Sequence, residues 1–313
     1  MAATKYAKCL VNTPGAYPDE LKGKVGTAKD PVPGVKATHL ITANDKVLDN
    51  YFYVDTTWLW KGAAKEPVGE PHTHDYSQVV GFIGGYPGND QDLDGEITMW
   101  LDGHKEVFTR NHLVFIPAGV VHGPIMFNKI NRPVLFLVLA MTGQYSRKPA
   151  SQPAKPSAKK RYSLMDHTKE NFSVGGDFKE LPPPKTPITT KGARVLHIED
   201  DMIPGAFYVD VVKIYSGTGN APAPEHVHEW AELLAMVGAN PDKPREIEGE
   251  MAIYLGGEYH TTTRSSYVCI PAGLKHCPWE FHDIKYPTVV FSAGPQGEYS
   301  GSHKKEKLNK KKR

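Results

Sequence analysis

A chain of 313 residues, 40% hydrophobic and 23% charged, is long enough for two ordinary domains and has the makeup of a globular protein rather than a disordered one. No apolar run approaches the roughly 18 residues of a membrane span, so a membrane partner is excluded from the reading. The net charge of +2 is uneven: Lys304–Arg313 (seven basic residues, one Glu) carries +6 and Ser146–Arg161 (six basic residues, no acid) another +6, which leaves the rest at −10. Basic charge confined to such runs, without interleaved aromatics, argues against a nucleic-acid-binding body.

In chain order, residues 1–37 are rich in Gly and Pro and are expected to form an extended arm laid across the other domain. The opening stretch has no apolar signal core. Cys9, Cys269 and Cys277 form no CxxC pair, and this usage fits a reduced, cytoplasmic protein. Residues 38–145 read as a first β domain of short strands, such as Leu113–Ile116 and Pro133–Ala140, broken by Pro-Ala-Gly turns. Residues 146–161 (SRKPASQPAKPSAKKR) lack any large apolar side chain and read as a linker or exposed loop. Residues 162–194 are expected to form an extended arm of the second domain, with a weak helical stretch near Asp166–Phe172. Residues 195–300 form the second β domain, and 301–313 a solvated basic tail.

The two β domains are copies. At an offset of 154 residues, Gly95-Glu-Ile-Thr-Met-Trp-Leu-Asp-Gly103 matches Gly249-Glu-Met-Ala-Ile-Tyr-Leu-Gly-Gly257. The same offset aligns Ile116-Pro-Ala-Gly-Val-Val-His122 with Ile270-Pro-Ala-Gly-Leu-Lys-His276, and His72-Thr-His74 with His226-Val-His228. Upstream, Phe52–Asp55 matches Phe207–Asp210 after a one-residue slip.

In the second copy His226 and His228 are two apart, so a strand would aim both at one face, and Glu232 keeps that parity. His276 follows the Pro271-Ala-Gly273 turn. Three imidazoles and one carboxylate converging inside a barrel suit Fe(II), Mn(II), Ni(II), Cu(II) or Zn(II). The first copy has His72, His74, Gln78 and His122, with a neutral amide where the second has a carboxylate. It is the weaker metal site. It could bind through three histidines with more open positions, bind with Gln78 as an oxygen donor, or only pack. A lone His would more often be a satisfied core group, but both spacings occur twice here.

These motifs resemble those of the cupin superfamily, HxHxxxE with a later glycine (His226, His228, Glu232, Gly238) and PxGxxH (Pro271 to His276, Pro117 to His122). The resemblance covers roughly residues 38–145 and 195–300. It implies an all-β fold of two tandem double-stranded β-helix (jelly-roll) barrels, a bicupin. By the same analogy it implies a homodimer and a small-molecule substrate, with at most one divalent metal per barrel. Gln78 departs from the motif. The fold is not specific to one reaction. A mononuclear non-haem iron dioxygenase-like activity leads, ahead of an O2-independent decarboxylase, lyase or isomerase and of a non-catalytic binding bicupin. Tyr254, Tyr267 and Cys277 are the candidate catalytic residues, with Tyr76, Glu229, Lys275 and His282 also near the motifs.

Overall fold

The structure is a computed structural model that describes residues 4–15, 31–167, 188–221 and 223–296. The basic tail and the stretch from 168 onward of the expected helix lie outside the described residues. The chain divides into two compact units, Thr13–His167 and a second made of Met1–Asn12 with Thr168–Arg313. Both are built almost entirely of antiparallel strands. A single short 3-10 turn, Ala7–Cys9, is the helical element among the described residues. None of their helices is long and apolar enough to cross a membrane.

In the first unit one layer runs Ser163–Met165, His112–Ile116, Gln78–Ile83, Val134–Ala140, Tyr53–Gly62 and Val35–Ala43. The other runs His104–Arg110, Asp92–Leu101, His122–Ile130, His72–Thr73 and Lys148–Pro149. The layers curl over a core that includes Leu59, Phe82, Ile97, Met99, Leu101, Phe108, Val114 and Phe127. Each such side chain contributes about 1.5–3 kcal/mol by leaving water.

The second unit repeats this plan. Its first layer runs Leu10–Val11, Ser266–Ile270, Glu232–Gly238, Thr288–Gly294, Tyr208–Asn220 and Lys191–Ile198. Its second layer runs from the far end of Tyr208–Asn220 to His276–Ile284, Glu246–Leu255 and Glu258–Arg264. The long strand Tyr208–Asn220 changes layers between Ile214, paired with Thr288, and Gly217, paired with Ile284, and a bulge follows between Gly217 and Gly219. Gly217 has φ +106°, and a Cβ there would lie 2.5 Å from the Thr189 carbonyl oxygen, so only glycine fits. Six strands of this unit begin 154 residues after their counterparts, from Gln78 and Glu232 through Val134 and Thr288. The sequence repeat is thus a repeat of pairing register.

Leu10–Val11, in the N-terminal arm, pairs with Val268 and Tyr267 and covers a strand edge of the second unit. Two segments differ from the expected organisation. Ser163–Met165, expected in the arm of the second domain, pairs instead with Leu113–Phe115 of the first. The stretch 146–161 is largely exposed yet tied to the first barrel. Lys148–Pro149 pairs with His72–Thr73, Gln152 Nε2 donates to the Gly123 carbonyl at 2.8 Å, and Arg161 Nε donates to Asp102 at 2.8 Å. A composition without large apolar groups leaves such a segment no core to enter. It does not prevent backbone pairing or charge-assisted bonds from fixing it.

Candidate metal centres

In both barrels the Pro-Ala-Gly turn builds the site. Gly119 and Gly273 each have φ +77°, a left-handed conformation that glycine adopts without penalty. Their N–H groups donate to the carbonyls of His74 (2.8 Å) and His228 (2.9 Å). The turn therefore fixes the segment carrying the first histidines relative to the strand that begins at the last one.

In the second barrel His276 opens its strand and exchanges two backbone hydrogen bonds with His226, both 3.0 Å. Beyond that bridge, His226–His228 is irregular rather than the regular strand expected from the i, i+2 spacing. Pro224 nearby lacks the N–H that a continued ladder needs. The parity expectation still leads to the same place, because Glu232 is the first residue of its own strand. The four ligand atoms of His226, His228, Glu232 and His276 all lie within 4.8 Å of one another, and all four residues are buried.

Second-barrel hydrogen bonds set the ring orientations. Nδ1 of His226, His228 and His276 lies 2.7, 2.8 and 2.8 Å from the carbonyl oxygens of Pro224, Trp230 and Leu274. A carbonyl only accepts, so Nδ1 carries the proton and Nε2 is turned to the centre. Glu232 Oε2 is 3.2 Å from His228 Nε2 and 3.0 Å from His276 Nε2. Burial raises the Glu232 pKa, but the bonds from His228 and His276 outweigh it and hold the carboxyl at about 2. Burial lowers His276, yet Glu232 pulls it above the ordinary histidine value. Burial, reinforced by the charge of His276, brings His226 down to about 4. With Nδ1–H committed to backbone, Nε2 can face a carboxylate only across a shared cation, a proton or a metal ion. The donor set fits a divalent metal.

In the first barrel His72 lies on the short strand His72–Thr73, directly opposite His122 in the sheet. The ligand nitrogens of His72, His74 and His122 also lie within 4.8 Å of one another. Nδ1 of each bonds to a carbonyl, of Glu70 (2.7 Å), Ser146 (2.5 Å) and Val120 (2.9 Å). Buried Nε2 atoms of His74 and His122, and the buried Oε1 of Gln78, have no hydrogen-bond partner. Such orphans are costly unless a ligand serves them. Burial lowers all three histidines, His72 to about 4 and His122 well below the ordinary value. Neutral rings with free lone pairs are the form that binds metal. These residues therefore fit a metal ion through three nitrogens, with Gln78 at the place Glu232 holds in the other barrel.

The first site opens into a cavity of about 120 Å³. Its polar lining includes His72, Gln78, His122, Tyr145, Arg147, Asp55 and, at the rim, Glu70, and its apolar wall includes Val80, Met99, Phe127, Phe136 and Val138. Tyr145 Oη is 3.3 Å from His72 Nε2. Tyr76 stacks on the His74 ring with centroids 4.7 Å apart and donates to the Ser146 carbonyl at 2.8 Å.

The candidate catalytic residues of the sequence fall elsewhere. Tyr254 is 36% exposed and packs against Tyr259 on the outside. Tyr267 is buried, but Glu232 is paired with Ile270, and strand alternation turns Tyr267 to the opposite face. Cys277 is buried in the core cluster that includes Leu255 and Trp279, and burial, with the Glu232 charge adding to it, pushes its thiol well above the ordinary range. Glu229 is exposed, Lys275 pairs with Glu225 at 2.6 Å, and His282 lies 3.5 Å from Glu280. Sequence pattern does not single out Tyr145 and Arg147. Their signal is faint, since they sit where the last strand of the first copy gives way to the Lys-rich run.

Two jelly-roll barrels in tandem, each gathering its histidines around a Pro-Ala-Gly turn, make the fold that of a bicupin. No family model matches the sequence, and no curated protein matches it. Among solved structures, oxalate decarboxylase from Bacillus subtilis is similar at 14% identity and a TM-score of 0.48, covering 86% of this chain and 74% of that one. AerE from Microcystis aeruginosa is similar at 14% identity and a TM-score of 0.45, covering 91% and 99%.

Proposed function

We propose that this bicupin is a metal-dependent enzyme acting on a small oxygenated organic molecule, with dioxygenase-like chemistry in the first barrel. The observation that carries the proposal is the pair of unpartnered, buried Nε2 atoms of His74 and His122 beside a cavity large enough for a ligand. When bound there by His72, His74 and His122, a divalent metal supplies Lewis-acid activation of substrate oxygens and, if it is iron, a redox centre.

The rest is work for this chain's own residues. Backbone carbonyls of Glu70, Ser146 and Val120 hold the three imidazoles in the neutral, Nε2-presenting form. Tyr145 Oη can exchange a hydrogen bond with a substrate oxygen from the cavity wall. The apolar wall of Val80, Met99, Phe127, Phe136 and Val138 excludes water from the substrate. In the second barrel the four-residue set binds metal more tightly, since Glu232 adds a charge that Gln78 lacks.

A second reading, an O2-independent decarboxylase, lyase or isomerase, draws support from that His3Glu set, which suits Mn(II), Ni(II) or Zn(II) Lewis-acid chemistry as well as iron. Metal analysis of freshly purified protein, followed by oxygen-electrode assays with catechol-like, enol and hydroxy-acid substrates, separates them. Bound iron with substrate-dependent O2 uptake is expected. Turnover that persists without oxygen in protein holding only Zn or Ni would replace the first reading by the second. Metal-dependent melting without turnover on any substrate would leave a binding protein.

A further inference from the structure

Arg147 belongs to the basic run that composition assigns to solvent, yet its side chain is only 6% exposed. It lines the first-barrel cavity together with His72, Gln78, His122 and Tyr145. Its Nη2 is buried and has no hydrogen-bond partner. Its ion pair is with Glu70 Oε2 at 3.8 Å, beyond hydrogen-bonding reach, and the Glu70 side chain is 66% exposed. Asp55, the other carboxylate of the cavity, already accepts from His39 at 2.8 Å and Thr42 at 2.5 Å.

The chain holds this guanidinium in place from both sides. Ser146, just before it, donates its N–H to Tyr76 Oη at 3.0 Å and accepts from His74 Nδ1 and Tyr76 Oη. Lys148 and Pro149, just after it, pair with Thr73 and His72, and Lys148 Nζ bonds Asp75 at 2.6 Å. A buried cation with an unserved N–H is unfavourable unless an anion completes it. The surrounding charge points the same way. Three neutral histidines and an amide leave the first site with no carboxylate of its own, so a dication there would add to the Arg147 charge, not offset it. A planar, forked donor of this kind matches a carboxylate.

We propose that Arg147 binds the carboxylate of an anionic substrate in the first-barrel cavity, a small carboxylate whose apolar body rests against Val80, Met99, Phe127, Phe136 and Val138. The cavity, about 120 Å³, is close to the roughly 150 Å³ that takes up one benzene ring, which keeps the ligand to a single ring or a short chain. This deepens the reading of the first barrel as a substrate site and rests on it.

Calorimetric titration of the full chain as purified, and again after dialysis against EDTA, with acetate, 2-methylpropanoate, benzoate and neutral benzamide tests it. Benzoate is expected to bind best, at one site per chain, and benzamide at least tenfold more weakly. Arg147→Gln should weaken benzoate at least tenfold without changing benzamide, and Arg147→Lys should restore part of the loss. Equal benzoate affinity in wild type and Arg147→Gln, or no binding by any of the carboxylates, would overturn the assignment. Should Arg147→Gln fail to fold, Glu70→Gln removes the competing carboxylate at the rim and should tighten benzoate at least twofold. Unchanged or weaker binding there would equally overturn it. Benzoate binding that depends on Arg147 in protein that holds no metal as purified and takes none up when it is added would keep the anchor and sink the metal-enzyme reading. Metal-loaded protein indifferent to Arg147→Gln would do the reverse.

Discussion

Gln78→Glu makes the two barrels chemically alike at the one ligand position where they differ. Gln78 is 3% exposed, and its Oε1 already lacks a partner, so the added charge would find little water. In metal-free protein that charge is a liability, because His74 and His122 are both held neutral. With a dication present the sign reverses. A unit charge and a dication about 4 Å apart attract by roughly 8 kcal/mol at an effective dielectric of about 20. Desolvating the carboxylate returns several kcal/mol of that. A net gain of about 3 kcal/mol corresponds to roughly hundredfold tighter metal binding in the first barrel. Competition against a chromophoric chelator measures it, in a background where Glu232→Gln and His276→Ala have silenced the second barrel. The metal-free variant should melt below its parent and the metal-loaded variant above. Equal affinities, or a metal-free variant that is no less stable, would refute the placement of Gln78 at the ion.

Asp102 is fully buried and held below its usual pKa chiefly by the Arg161 hydrogen bond, with burial opposing. A depressed folded-state pKa stabilises above the unfolded value of 3.8 and is lost as pH falls through the folded one. The melting-temperature advantage of wild type over Asp102→Asn should therefore be full at neutral pH and shrink progressively as pH falls below about 4. An advantage that grows on acidification would contradict the pairing. Tyr76→Phe removes both hydroxyl contacts to Ser146 and should cost about 1 kcal/mol, with faster amide exchange at Arg147 and Lys148. Unchanged exchange would show that Tyr76 does not hold this segment. Phe108, 1% exposed and 5.2 Å centroid to centroid from Phe82, anchors the first core. Phe108→Ala should cost about 3–5 kcal/mol by chemical denaturation, and a loss under about 1 kcal/mol would show that the ring is not close-packed.

The barrels and their histidines are legible in the sequence because those signals are local. His228 is two positions after His226, and His276 is three positions after Gly273, so spacing alone brings each group near its destination. The 154-residue offset then survives as strand register, from Gln78 and Glu232 onward. What local pattern cannot carry is pairing at a distance. Arg147 looks solvated in a run of Pro, Ser and Lys, and it is the ladder from Lys148 to Thr73, 75 positions back, that turns it inward. Likewise Tyr267 looks close to the motif, but the pairing of Glu232 with Ile270 sets which face of that strand meets the cavity. Ser163–Met165 reads as part of the wrong barrel for the same reason, since its partner Leu113–Phe115 lies some fifty residues upstream.

The most direct measurement is elemental analysis of the freshly purified full chain beside His276→Ala. Divalent metal should accompany the wild-type protein, at no more than two equivalents per chain. The variant should lose the second-barrel equivalent while keeping its antiparallel β circular-dichroism spectrum. A wild-type chain that binds no divalent ion even after metal is added back, or a variant with undiminished content, would mean that His226, His228, Glu232 and His276 meet for some purpose other than holding an ion.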